Sequence, residues 1–384
     1  MSVRVIAMII AAGICFEFGI GSATAQPLDQ VPDARTICSA ISKSRPPRST
    51  AVTPTRARAE SDRLVTEAAA LMVQPSRQSV TGAIALLEQA TAADASNAVA
   101  FARLSAAYGD SRRYADVPAP IAAARRWKEA TKAYALDPGN VIVLSNLAHS
   151  VVVQARDLDC AERILLRARA IAPRDPDVNF GLSNLRGSKG DYKAAFAYLD
   201  TAVVHADPDK RLALQYNSGR LYFMARENRR VIDHYAALIE ANPDNSRNSL
   251  AYFYRGLAFA AERDYQQALA EVTKLPPGRD GDAGAVANLA RIQILAGERA
   301  AGEENLQLLL ERDARGERVV SYQIAAVYEA LGNRDETFRW LARYTEEADG
   351  LGSWLLWLRQ DQRWDRIRDD ARFAAVLAKA RPPY

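Results

Sequence analysis

Leu182-Ser183, Gly190-Asp191-Tyr192, Ala195, Leu199, Ala202 and Asp207-Pro208 mark the stretch whose reading decides the fold. It reads as two short helices joined by a Gly-Asp turn. A proline, which cannot continue a helix, punctuates the end. The proline recurs: Pro138, Pro173, Pro208, Pro243 and Pro277 stand 35, 35, 35 and 34 residues apart. A fixed period in this range is the mark of stacked repeats. Other features keep the same phase. Arg263-Asp264-Tyr265, Gly297-Glu298 and Gly332-Asn333 occupy the turn position of Gly190-Asp191-Tyr192. Seven residues before it lies a small residue: Ser183, Gly256, Ala290 and Ala325. Five after it comes Ala195 or Ala268, and Tyr108, Tyr222, Phe259 and Tyr328 recur near the end of the first helix. Small residues let paired helices approach to about 8–10 Å, and the aromatics fill the space between successive pairs.

On these residues the chain resembles the tetratricopeptide repeat family. A second set is Tyr252, Gly256, Phe259, Asp264-Tyr265 and Ala268, and a third is Gly219, Tyr222, Tyr235 and Leu238 before Asn242-Pro243. The resemblance spans about 64–350. It implies an all-α, right-handed superhelical solenoid of antiparallel helix pairs with capping helices at its C-terminal end. Eight units are expected, at 64–97, 98–140, 141–175, 176–211, 212–248, 249–282, 283–317 and 318–350. The second is longer than its neighbours, and the excess is expected as a loop over 109–120. Residues 351–384 read as a cap, because an open end of stacked helices needs one apolar and one polar face. Trp354, Leu355, Leu358 and Trp364 would cover the core.

Ahead of the repeats the chain reads differently. Arg4, the apolar run Val5–Phe16 and Ala23-Thr24-Ala25 form a signal-peptide pattern over 1–25, with cleavage before Gln26. The expected location is the periplasm or outside the cell; the alternative is an inner-membrane anchor that is not cleaved. No later stretch is long enough to span a membrane. Residues 26–63 are expected to be a basic, largely disordered arm. From Ala34 to Ala59 there are six basic residues and no acid, with Pro46, Pro47 and Pro54 among Ser and Thr. Such an arm is either a solvated linker or a weak contact to an anionic surface. The mature chain holds two cysteines, Cys38 and Cys160. Export permits a disulfide between them; otherwise Cys160 is a small buried helix residue and Cys38 is exposed.

Composition bounds the chemistry. The chain has 384 residues, 49% of them hydrophobic, and 72 are Ala, the strongest helix former. A net charge of +4 from 50 basic and 46 acidic residues is too balanced for a nucleic-acid footprint. Three His and no G-x-S-x-G, H-E-x-x-H, C-x-x-C or Walker loop leave no catalytic centre, metal site or cofactor to expect.

First helices of such repeats line a concave surface. The stripe expected there comprises Arg103, Asn146, His149, Asn184, Tyr216, Asn217, Arg220, Tyr254, Asn288, Arg291 and Gln323. Asn146, Asn217 and Asn288 share one repeat position, and an amide both donates and accepts, as a peptide backbone does. Arg220 and Arg291 share another and can fork onto a carboxylate. A clamp for C-terminal carboxylates known in this family uses two Lys, two Asn and a further Lys or Arg. Asn184 and Asn217 match its Asn positions, but Phe180, Leu250 and Tyr254 stand where basic residues belong. The expected function is a non-catalytic exported scaffold that holds a protein or extended peptide in its groove, in cell-envelope assembly or export. The alternative is an accessory subunit or enzyme with a small-molecule site near 109–120, His149 and Arg220.

Overall fold

The computed structural model describes residues 32–43, 55–73, 76–114, 117–275, 283–317, 319–347 and 355–380. Among these residues there is no β-strand, and the helices alternate as antiparallel pairs. The pairs are α2 (Arg56–Leu71) with α3 (Arg77–Ala93), α4 (Ala98–Tyr114) with α5 (Ala119–Leu136), α6 (Val141–Ala155) with α7 (Leu158–Ile171), and α8 (Pro176–Ser188) with α9 (Tyr192–His205). Then come α10 (Pro208–Met224) with α11 (Asn228–Ala241), α12 (Asn248–Ala261) with α13 (Tyr265–Val272), α14 (Ala283–Leu295) with α15 (Arg299–Ala314), and α16 (Ser321–Leu331) with α17 (Arg334–Glu347). Helix α1 (Ala34–Lys43) precedes them. Two short 3-10 stretches, Leu355–Trp357 and Gln362–Ile367, and α18 (Ala371–Ala380) follow. First helices of neighbouring pairs pack on one another along the whole array, while second helices stand further apart. The first helices are therefore the inner layer of a solenoid.

Local chemistry explains the phase of the repeat. Asp157, Asp175, Asp191, Asp207 and Asp264 each cap a helix by accepting a backbone N–H three residues on, at 2.8–3.2 Å. Asp207-Pro208 is thus an N-cap followed by proline at the first helical position, where its missing N–H costs nothing. Each of the last six intra-pair turns places one residue in the left-handed region: Arg156, Gly190, Arg226, Arg263, Gly297 and Gly332, with φ between 55° and 90°. Packing needs the small residues too. A Cβ on Gly219 would collide with the Tyr235 ring, and one on Gly256 would lie 2.8 Å from Val272 Cγ1.

The structure differs from expectation at three places near the N-terminal end. Residues 34–43 and 56–63, expected within a disordered arm, are helical. The α1 stretch buries Ile37, Cys38 and Ile41 against α6 and α7, which its composition alone does not reveal. Trp127 Nε1 donates to the Pro32 carbonyl at 3.0 Å, and a disulfide joins Cys38 to Cys160 with their Cα atoms 5.6 Å apart. The first pair accordingly begins at Arg56, with Thr55 as N-cap, and not at 64. The long second unit spends its extra residues on helix: α4 runs to Tyr114 and α5 starts at Ala119, so a loop over 109–120 does not form. Residues 1–31, which hold the expected signal peptide, lie outside the described residues, as do Trp354 and Pro277.

The chain after α17 does more than close an end. Leu355, Leu358 and Trp364 are buried on the last pair, as a cap requires. Trp357, fully buried, reaches back to α8 and α10, packing on Gly187 and Leu221. Gln360 Nε2 donates to the Ser188 carbonyl, Gln362 Nε2 to the Phe223 carbonyl, and Arg226 forks onto Asp365. Residues 355–368 are therefore a strap across the turn ends of the fourth, fifth and eighth pairs. Two further contacts join distant parts. Arg156, in the turn of the third pair, donates to the carbonyls of Thr345 in the eighth pair and Lys379. Arg247, between the fifth and sixth pairs, donates to the Val73 carbonyl in the first. Pair 3 to pair 8 is five steps, and pair 1 to the junction of pairs 5 and 6 is nearly the same. Consecutive turns of the solenoid therefore touch.

Candidate partner-binding site on the inner helices

The expected stripe divides by environment. Tyr216 and Tyr254 are core residues, 0% and 4% exposed; the Tyr216 hydroxyl donates to Asn248 Oδ1 at 2.7 Å. They pack against Tyr235, so they offer no surface to a partner. The amide nitrogens of Asn146, Asn184 and Asn217 each donate back to the carbonyl four residues earlier, at 2.8–3.1 Å. Each amide thus spends one donor on its own helix. Gln323, 6% exposed, accepts from Arg363. Arg103 lies half-buried on α4.

Asn288 is different. It is 2% exposed, and neither its Nδ2 nor its Oδ1 has a partner. Leaving buried polar atoms unpaired costs about 1–3 kcal/mol each. One turn further along α14, Arg291 has a buried Nε with no partner. Desolvation pulls its pKa down to about 10, although Glu329 and Asp361 act the other way. Both of those carboxylates are already engaged, Glu329 by Arg366 and Asp361 by Arg363. Desolvation opposes the Asp361 charge, yet the Arg363 guanidinium and the Tyr322 hydroxyl hold its carboxyl below the usual carboxylate value. Their partners leave Arg291 as surplus positive charge.

His149, Arg220 and Arg291 share one repeat position, 71 residues apart each time. Arg220 Nη2 donates to Asn184 Oδ1 at 3.3 Å, and its guanidinium lies 5.5 Å over the Trp357 ring. Its Nε is buried and unpartnered. His149 keeps an exposed side chain. Even so, the Arg126 guanidinium, then desolvation, then Arg220 push its pKa down to about 3. The cause is positive charge on the neighbouring helices, since the residue itself is exposed. The other histidines are apart from it: His205 is exposed near the end of α9, and His234 is half-buried against Gln215 and Tyr222.

Sequence reasoning missed Arg126, Ser150 and Trp357. Arg126 belongs to a second helix, which the repeat register assigns to the outer layer, yet its Nε donates to Ser150 Oγ on α6 at 3.3 Å. Gly109 was the available signal, since a Cβ there would meet the Arg126 guanidinium. Trp357 was read as part of a cap, and nothing local to it points to a slot on α8 and α10.

No protein-family model matches the chain, and no curated protein does. Among solved structures, similar ones include a tetratricopeptide repeat protein from Parabacteroides merdae, at 11% identity and TM-score 0.44, covering 84% of this chain and 99% of that one. The Pseudomonas aeruginosa protein pilF is similar at 16% identity and TM-score 0.38, covering 62% and 97%. The TPR domain of P58(IPK) is similar at 14% identity and TM-score 0.25, covering 83% and 97%.

Proposed function

We propose that the protein is an exported, non-catalytic repeat scaffold that holds a peptide or protein segment against its inner helices in the cell envelope. One observation carries the reading. Asn288 is a buried amide whose donor and acceptor are both unpaired, and it stands one helical turn from a guanidinium with surplus charge. Both atoms are closed to solvent in the free protein, so a peptide unit from another chain would pair them by entering where the inner layer opens. The Cys38–Cys160 disulfide supports an oxidising compartment, and Arg4 to Ala25 supplies the export pattern. No described helix is long and apolar enough to cross a membrane. Cell-envelope assembly or export is the setting these features suit.

The test is capture from envelope extract with wild type, Asn288→Leu and the triple Asn146, Asn217, Asn288 to Ala variant. Asn288→Leu alone should lose the captured partner, since Asn146 and Asn217 each spend an amide proton on their own helix. Capture that survives all three substitutions would remove the groove reading. Mass spectrometry of the natural protein should find a start at Gln26; a full-length product would remove the export reading.

A further inference from the structure

We propose that the segment held at the inner helices presents an acidic side chain, a single carboxylate, to the Arg291 guanidinium on α14. This deepens the reading of Asn288 given above and rests on it.

Asn288 and Arg291 stand three residues apart on α14, so their side chains leave one face of the helix about 5–6 Å apart at Cβ. Asn288 is closed off from solvent. Arg291 is half-buried: its Nε is closed off, and the rest of its guanidinium is what α14 shows at the inner surface. Among the described residues Arg291 makes no hydrogen bond and no ion pair. The flanking repeats supply the reason. Six residues before the left-handed turn residue, α12 has Leu257, α14 has Arg291 and α16 has Ala326. Leu257 and Ala326 are both 1% exposed, and their side chains carry no acceptor.

Other sheltered arginines have a carboxylate. Arg363 has Asp361 at 2.7 Å, Arg366 has Glu329 at 2.6 Å and Arg255 has Glu271 at 3.3 Å. Arg220, at the position of Arg291 two repeats earlier, has Asn184 and the Trp357 ring instead. Arg291 has none of these. Desolvation lowers its pKa to about 10, so it stays charged at pH 7. A sheltered charge without a partner is costly, and an arriving carboxylate removes that cost by accepting charge-assisted hydrogen bonds. An acidic residue inside a chain suits the pair. Its side chain meets Arg291, and its own peptide unit lies within reach of Asn288 with the donor and acceptor that this amide lacks. A chain terminus suits it less. The clamp for C-terminal carboxylates gathers several basic residues, and Phe180, Leu250 and Tyr254 stand in their places. One guanidinium matches one carboxylate.

The experiment is an NMR titration of the full chain, uniformly ¹⁵N-labelled, at pH 7 and fixed ionic strength. The Arg291 Nε proton is closed to solvent, so it exchanges slowly enough to be seen, and Arg291→Gln assigns its signal. Arg169 Nε on α7, also closed off and unpaired, is the control, assigned by Arg169→Gln. The probes are three alanine pentapeptides acetylated at the N-terminus. One has a central aspartate and a C-terminal amide, one a central asparagine and a C-terminal amide, and one a central asparagine and a free C-terminal carboxylate. The aspartate peptide should move the Arg291 signal saturably and bind about tenfold or more tighter than the asparagine amide, while Arg169 stays put. No saturable shift, equal affinity of the two amides, an equal shift at Arg169, or tighter binding of the free carboxylate would each overturn the proposal. Arg291→Gln, with an unchanged circular dichroism spectrum, should erase the preference for aspartate as read from the α14 backbone amides; a preference that survives would overturn it too. Capture by Asn288→Leu reads the groove on its own. Its loss, together with equal affinity for the two amide peptides, keeps the groove and removes the carboxylate.

Discussion

Replacing Asn288 with leucine should make the array firmer while emptying it of its partner. Leucine keeps the branch at Cγ but is the larger side chain, so the slot must give a little. In the free protein the amide carries two unpaired atoms at 2% exposure. Each unpaired group costs about 1–3 kcal/mol. Leucine removes both penalties and adds apolar burial, against a strain cost of about 1–3 kcal/mol for an imperfect shape match. The expected net gain is about 1–3 kcal/mol. Hydrogen exchange of α14 reads this locally, since long repeat arrays do not always unfold in one step. Slower exchange of α14 amides, by roughly 5- to 100-fold, together with lost capture, is the expected pair of results. Faster exchange would mean that Asn288 bonds within the fold and that the reasoning about its free amide is wrong.

Arg263 holds a left-handed conformation, φ 63°, where a Cβ is unfavourable. Arg263→Gly should therefore stabilise by up to about 1 kcal/mol in urea titration; Arg226→Gly should not, because it also deletes the fork onto Asp365. The disulfide closes a 122-residue separation, so Cys160→Ser should cost about 4–5 kcal/mol in the chain-entropy model. Thiol labelling of unreduced, denatured wild type should find none reactive, and two would contradict the bridge. Acid should weaken the fold through His149. The unfolded imidazole takes a proton near pH 6.5 and the folded one near pH 3. Between those values the unfolded state binds more protons, so stability falls as pH drops. Urea midpoints at pH 7 and 4.5 should differ less in His149→Asn than in wild type, and equal differences would refute the assignment.

The repeat was legible because it rests on local chemistry. Asp caps, small crossing residues and a left-handed turn residue each act within one unit, so their spacing survives in the sequence. Arg263 is instructive: it occupies the turn position of Gly190, and it takes the same backbone conformation. The failures are non-local. Helix α1 looks like linker because its apolar face is three residues, Ile37, Cys38 and Ile41, and the surface they cover is more than a hundred residues away. The stripe was partly misread because the register gives the inner helices but not how far each side chain sinks. Tyr216 and Tyr254 fall just past the rim into the core, whereas Asn288 falls past it without finding a partner. Arg126 enters from a helix that the register places outside.

The strap changes how this array answers to load and heat. A stack whose members touch nearest neighbours loses its ends first, and its stability is close to a sum over units. Here Gln360 bonds to Ser188 across 172 positions, and Asp365 to Arg226 across 139. The eighth pair cannot fray without unseating Trp357 from the fourth and fifth. The C-terminal end therefore opens together with the middle of the array and not unit by unit, so fraying there reports on the fourth and fifth pairs as well.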